Sequence, residues 1–293
     1  MKGKDRAMVA KGMCLAAAMI WGAAFFMMKE ATDVMPVFWL LGIRFTLAGV
    51  VMGLLAWRRW KWLDRATLWK GCLIGLTLFA AYVSQTFGLR YTTPSNNAFI
   101  TAAYVVIVPF LTWLVMGIRP DKWNLLSALL CLLGLALISL TDALTVGLGD
   151  ALSFLCAFFF AAQIVAVNRL ARGTSVVLLS VLQMLTVGLL SLLCALLTET
   201  PPALTVFTPR ILGQFVFMIF GSTILANLFQ NLGQVWSDPN TASVLLSLES
   251  VFGVLFSVLF YGDPVTPRLL LGFLIIFFAV LCSETKLSFL RRA

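Results

Sequence analysis

Along this 293-residue chain the apolar positions come in long runs separated by short polar breaks. The runs fall near residues 9–28, 36–57, 70–91, 95–116 and 123–141, and then 150–168, 175–197, 209–236, 240–261 and 268–284. Each is close to the roughly 20 mostly apolar residues that carry a helix across a bilayer. A transmembrane barrel strand would read as about ten residues of alternating polarity, and residues 125–140 show no period of two. The pattern predicts an all-α integral membrane protein with ten transmembrane helices. Lys2, Lys4, Arg6 and Lys11 ahead of the first run look like the start of a secretory signal, but no small-residue cleavage site follows residues 21–28. That segment is expected to be a retained first helix.

Polar residues inside such runs are informative, because a central charge costs about 2.5–3.5 kcal/mol on insertion scales. In the eighth run Thr223, Asn227, Gln230, Asn231 and Gln234 form one helical stripe. Turned toward lipid it is unfavourable; turned inward it lines a cavity or bonds neighbouring helices. In the ninth run Ala242, Ser243, Ser247, Glu249, Ser250, Gly253 and Ser257 share one side, with large apolar residues on the other. Glu249, the only acidic residue near mid-membrane, is a candidate functional carboxylate. The competing reading makes it a structural partner for Arg44 or for a helix terminus. Asn97, Thr101 and Tyr104 share a face of the fourth run, and Tyr82 and Gln85 a face of the third. Trp21 and Phe25 in the first run, and Phe160 and Gln163 in the sixth, supply aromatic and amide walls. Arg44 lies about nine residues into the second run, too deep to snorkel easily. Its expected role is to tie helices together, with anion pairing second. Gly42, Gly49 and Gly53 on the same run predict a closely packed helix interface.

Composition agrees with a lipid surround. Hydrophobic residues make up 61% of the chain and charged residues 11%, where soluble domains carry about 25% charge. The net charge of +9 would fit a nucleic-acid binder, but its distribution points to a membrane instead. Sixteen basic residues fall in the N-terminal segment, in alternate loops and at the C-terminus, four fall in the opposite loops, and Arg44 is left inside a span. This positive-inside bias puts both termini in the cytoplasm of an inner-membrane protein. The six cysteines stand singly within apolar runs and there is no histidine, so no cofactor or metal is expected. Without a cluster of catalytic side chains, a membrane-embedded enzyme is disfavoured.

The chain also repeats. Gln85, Gly88, Tyr91, Thr92 and Pro94 align with Gln230, Gly233, Trp236, Ser237 and Pro239 at a constant offset of 145, which also pairs Tyr104 with Glu249 and Gly117 with Gly262. Five helices per copy force the second copy to insert upside down. The expectation is two inverted five-helix repeats, residues 1–145 and 146–293, around a central cavity, as secondary transporters are often built.

These residues resemble the drug/metabolite transporter superfamily, in its ten-helix EamA-like branch. The matching pieces are Trp21, Gly22 and Phe25, then Pro36, Arg44 and Phe45, then Tyr91 through Phe99 and Gly117. In the second half they are Asp238 through Ser243, Leu248 and Glu249, and Gly262 with Asp263. The resemblance implies alternating access and export of small molecules from the cytoplasm. The chain departs from the family where Ser250 replaces the proline after Leu248 and Glu249, and where Ile118 replaces an acid after Gly117. The expected activity is export of amino acids or related small metabolites, with efflux of cationic or aromatic xenobiotics as the alternative. Proton coupling through Glu249 and facilitated diffusion are both compatible with the sequence.

Overall fold

The structure is a computed structural model that describes residues 3–139, 147–236, 242 and 245–285. The regular elements among the described residues are all helical, joined by short non-helical connections, with no strand among them. Helices α1 (Gly3–Val34), α2 (Val37–Leu55) and α3 (Arg65–Tyr91) come first, with a 3-10 turn at Trp57–Trp62 after α2. A broken rod follows, α4 (Pro94–Thr101) and α5 (Tyr104–Met116), then α6 (Lys122–Ser139), α7 (Leu148–Leu170) and α8 (Val176–Thr198). The next rod is composite: α9 (Pro209–Val216), a π-helical segment Phe217–Leu225, and α10 (Ala226–Trp236). Last come α11 (Glu249–Phe256) with a π-helical end Ser257–Tyr261, and α12 (Pro267–Thr285). Seven of the described helical segments are long and apolar enough to cross a membrane; Leu245–Tyr261 and Pro267–Ala279 are shorter apolar helices. Large apolar side chains such as Leu54, Leu114, Leu196 and Leu259 lie exposed on the outside, where lipid would cover them.

Helix ends follow local chemistry where the sequence supplies it. Thr93 accepts from Asn96 N–H and Thr208 from Ile211 N–H, each just before a proline in the first helical turn. Asp64 caps α3 by accepting from Thr67 N–H at 2.7 Å. Hydrogen bonds from the Thr67 hydroxyl and N–H hold the Asp64 carboxyl below its usual range, so this contribution is present at neutral pH and fades as pH falls. Other ends are capped from far away. Glu199 accepts from Phe38 N–H and Trp39 N–H, closing the start of α2. Asp263 accepts from Ser95 N–H at the start of α4 and from the Ser257 hydroxyl. Carboxylates at helix N-termini gain from the macrodipole as well as from the bonds.

The rods pair in a regular way. α2 packs against α8, and α6 against α12. α1 packs against α10 and α11, while α3 and α5 pack against α7. Local backbone repeats at the 145-residue offset too. Ala103, before Tyr104, has φ −58° and ψ −15°; Leu248, before Glu249, has φ −61° and ψ −12°. Gly117 and Gly262 both end their helices in the left-handed region, at φ 75° and 80°, a conformation that glycine adopts without steric cost. The interruption at Leu248 forms without the proline of the family pattern, and the Ser250 hydroxyl bonds the Ser247 carbonyl there at 2.7 Å.

Close approach of α2 and α8 rests on glycines from both helices. Gly42 and Gly49 face Leu192 and Leu185, and a Cβ on Gly188 would stand 2.5 Å from the Thr46 backbone nitrogen. Gly188→Leu therefore has to push two helices apart, where overpacking costs typically ~1–3 kcal/mol. A lowered thermal midpoint in detergent is expected, with Gly12→Leu unchanged because nothing lies within 4 Å of a Cβ there.

Candidate functional site

At the centre of the bundle α1, α2, α3, α5, α7, the π segment, α10 and α11 surround a cavity of about 40 Å³. A water needs ~10–15 Å³ by this measure, so the space holds a few waters and no metabolite without rearrangement. Trp21, Phe25, Tyr82, Gln85, Tyr104, Phe160, Gln230, Glu249 and Arg44 all line it. The aromatic wall is continuous: Tyr82 meets Phe160 edge-on at 5.4 Å, and Tyr104 meets Phe160 at 6.4 Å.

Arg44 is 1% exposed. Its Nε donates to Thr223 Oγ1 at 2.6 Å and its Nη2 to Ser222 Oγ at 2.9 Å, so α2 is tied to the π segment. Its guanidinium also lies 5.0 Å from the Phe45 ring centroid and 5.3 Å from that of Tyr82, contacts that favour a desolvated cation. Among the described residues no carboxylate stands within ion-pair distance of Arg44; their ion pairs are Lys29 with Asp33 and Arg210 with Glu30. Glu249, 6% exposed, opens α11 and interacts with the Tyr104 hydroxyl. Tyr82 stands within electrostatic reach of both Arg44 and Glu249. The cavity thus holds a guanidinium and a carboxyl group, with a tyrosine near both.

Other residues singled out in the sequence sit behind this wall. Gln163 bridges the cavity residue Gln230, whose Nε2 donates to it at 3.1 Å, and Gln183, to which it donates at 3.3 Å. Asn97 donates to Ser153 Oγ and to the Gln85 carbonyl, and Thr101 accepts from Gln85 Nε2. Asn231 donates to Ser180 Oγ. Asn227 donates to the carbonyls of Ser222 and Thr223, at 3.2 and 2.8 Å. The wide π turn leaves carbonyls off the α-helical ladder, and Trp21 Nε1 takes the Ser222 carbonyl as well, at 2.8 Å. Ser243 lies outside the described residues.

Ala24, Met28, Leu89, Ile164, Ser222 and Leu246 also line the cavity. Ala24 and Met28 lie three and seven residues after Trp21, and Leu89 four after Gln85, so helical spacing would have found them. Ser222 is different. An α-helical wheel loses register across the π segment and hides this neighbour of Thr223.

The family model for the EamA-like transporter family matches the chain twice, over residues 10–140 and 147–285. The chain belongs to the EamA-like transporter family. As a member of this family, within the drug/metabolite transporter superfamily, it is a multi-pass membrane transporter. An uncharacterized transporter of Archaeoglobus fulgidus is 34% identical over 264 residues, covering 90% of this chain and 82% of that protein. A crystal structure at 18% identity superposes with a TM-score of 0.73, covering 96% of this chain and 98% of the other, which makes the fold common to both.

Within this EamA-like chain, the bonds of Asn227 to the π-segment carbonyls carry a prediction. Asn227→Leu keeps the volume and removes a donor from the Thr223 carbonyl, while the Ser222 carbonyl keeps Trp21 Nε1, a loss of about 0.5–1.5 kcal/mol for one hydrogen bond. Thermal unfolding in detergent should show the drop, and an unchanged midpoint would remove Asn227 from the support of the π segment.

Proposed function

We propose that this transporter exports amino acids or closely related small metabolites from the cytoplasm, working by alternating access between two inverted five-helix repeats, residues 1–145 and 146–293. It sits in the inner membrane as ten crossings with both termini cytoplasmic. The two family matches, the packing pairs and the paired backbone angles at Ala103 and Leu248 support the repeat. The sixteen-to-four split of basic residues between alternate loops supports the orientation.

One observation carries the substrate reading: buried Arg44 and buried Glu249 line one cavity without forming an ion pair. An unpaired guanidinium in a desolvated site is costly, and a zwitterion would answer it with its carboxylate while its ammonium displaces the proton on Glu249. Its carboxylate would meet the guanidinium, its ammonium would meet Glu249, and its side chain would lie against Trp21, Phe25 and Phe160. Gln230, whose Oε1 has no donor among the described residues, offers a further acceptor. Asn97, Thr101, Gln163, Asn227, Asn231 and Ser243 then support the site from behind. Glu249 would exchange its proton for the substrate ammonium, which couples export to proton entry.

Efflux of aromatic cations is the second reading, favoured by the same aromatic wall and Glu249. Arg44 weighs against it, because a fixed guanidinium repels a second cation.

Counterflow in proteoliposomes separates these. Labelled amino acids should exchange, and their carboxamide analogues should compete about tenfold less well or worse, the ratio for one charged hydrogen bond of ~1.5–3 kcal/mol. Arg44→Lys should weaken the amino acid selectively, and Glu249→Gln should abolish both exchange and its acceleration by a pH gradient. Exchange of cationic dyes in place of amino acids would overturn the zwitterion reading.

A further inference from the structure

A second cavity, of about 390 Å³, opens on the lipid-facing side between α3, α5 and α7 and is separate from the central site. Its walls are apolar, formed by Leu73, Leu111, Val165 and Ala166, with Trp69 and Arg169 at its edge. All of these lie at one end of their helices: Trp69 in the first turns of α3, Leu111 in the second half of α5, and Arg169 in the last turn of α7. The connections at that end carry Arg58, Arg59, Lys61, Arg119, Lys122 and Arg172. Trp69 is 62% exposed, as is expected of an aromatic ring at the headgroup level.

Arg169 is exposed and spends one N–H on the Val115 carbonyl, at 2.7 Å. That bond holds the guanidinium at the edge of the crevice, and four of its five N–H donors are left for a ligand. Lys70, at the same end, is turned toward the α7–α8 connection by its bond to Thr174. The crevice is therefore an apolar slot with a tethered cation at its polar edge.

We infer that this crevice binds an anionic phospholipid of the cytoplasmic leaflet, one acyl chain lying in the slot and the phosphodiester on Arg169. The apolar length selects a lipid over a soluble phosphate, and the basic rim selects an anionic headgroup over a zwitterionic one. This site is independent of what the central cavity carries.

Full-length protein in detergent, titrated with phosphatidylglycerol or phosphatidylcholine and read by native mass spectrometry and thermal shift, tests the assignment. The wild type should retain phosphatidylglycerol preferentially and gain thermal stability from it. Arg169→Gln should weaken phosphatidylglycerol about fivefold, the ratio for ~1 kcal/mol per basic residue at an anionic surface. Arg169→Lys should keep most of the preference. Ala166→Phe should fill the slot and lose the bound lipid while the protein elutes as a monodisperse species. Equal retention of the two lipids by the wild type would overturn the headgroup assignment. Undiminished phosphatidylglycerol binding by both Arg169→Gln and Ala166→Phe would overturn the site.

Discussion

Hydrocarbon offers no hydrogen bond, and the polar groups at the centre of this bundle are arranged around that deficit. The backbone meets it with helices, which bond their own amides, and leaves only short non-helical connections between them among the described residues. Side chains meet it by turning inward and finding one another across helices. Gln163 joins α10 to α8 by way of α7, Asn231 joins α10 to α8, and Arg44 joins α2 to the π segment. These bonds are modest singly, ~0.6 kcal/mol on average in membranes. Their effect is to fix which helix faces which, because lipid presses all apolar faces together with little preference.

The same deficit explains why the irregular backbone lies where it does. Asn227 and Trp21 take the carbonyls of Ser222 and Thr223 in the π segment, and Arg44 bonds the Ser222 hydroxyl, so that part of the irregular backbone is satisfied inside the bundle. The breaks before Tyr104 and Glu249 lie against the cavity. At one end of the bundle, where helix N-termini would otherwise be bare, Glu199 and Asp263 reach across from distant connections. Irregularity and polarity are thus concentrated together in the interior. That concentration gives this membrane transporter a polar centre and leaves its lipid-facing surface apolar.

Much of this was legible in the order of residues. Run length and the absence of alternation determined that the chain is helical and lies in a membrane, because only one period and one length satisfy a bilayer. Spacing put Gln230 with its amide neighbours, Tyr82 with Gln85, and Tyr104 with Asn97 and Thr101 on shared faces, and it marked Glu249 and Arg44 as charges inside the spans, since a charged or amide stripe cannot face lipid at tolerable cost; Trp21, Phe25 and Phe160 were candidate walls only. The glycines of α2 announced a close contact without naming α8 as the partner.

Only the tertiary structure decided which inward residues meet open space and which are consumed by each other. Asn97, Thr101, Gln163, Asn227 and Asn231 are as polar as the cavity residues and bond to them or to groups behind them, and what separates the two sets is which side chains helix packing leaves at the edge of the open space. Ser222 escaped notice because the π turn shifts the helical register, and that shift depends on bonds from α1 and α2. The separation of Arg44 from Glu249 had no signal in the chain either. Periodicity assigns a residue to a face of its own helix, whereas the distance between two faces is set by how the helices pack.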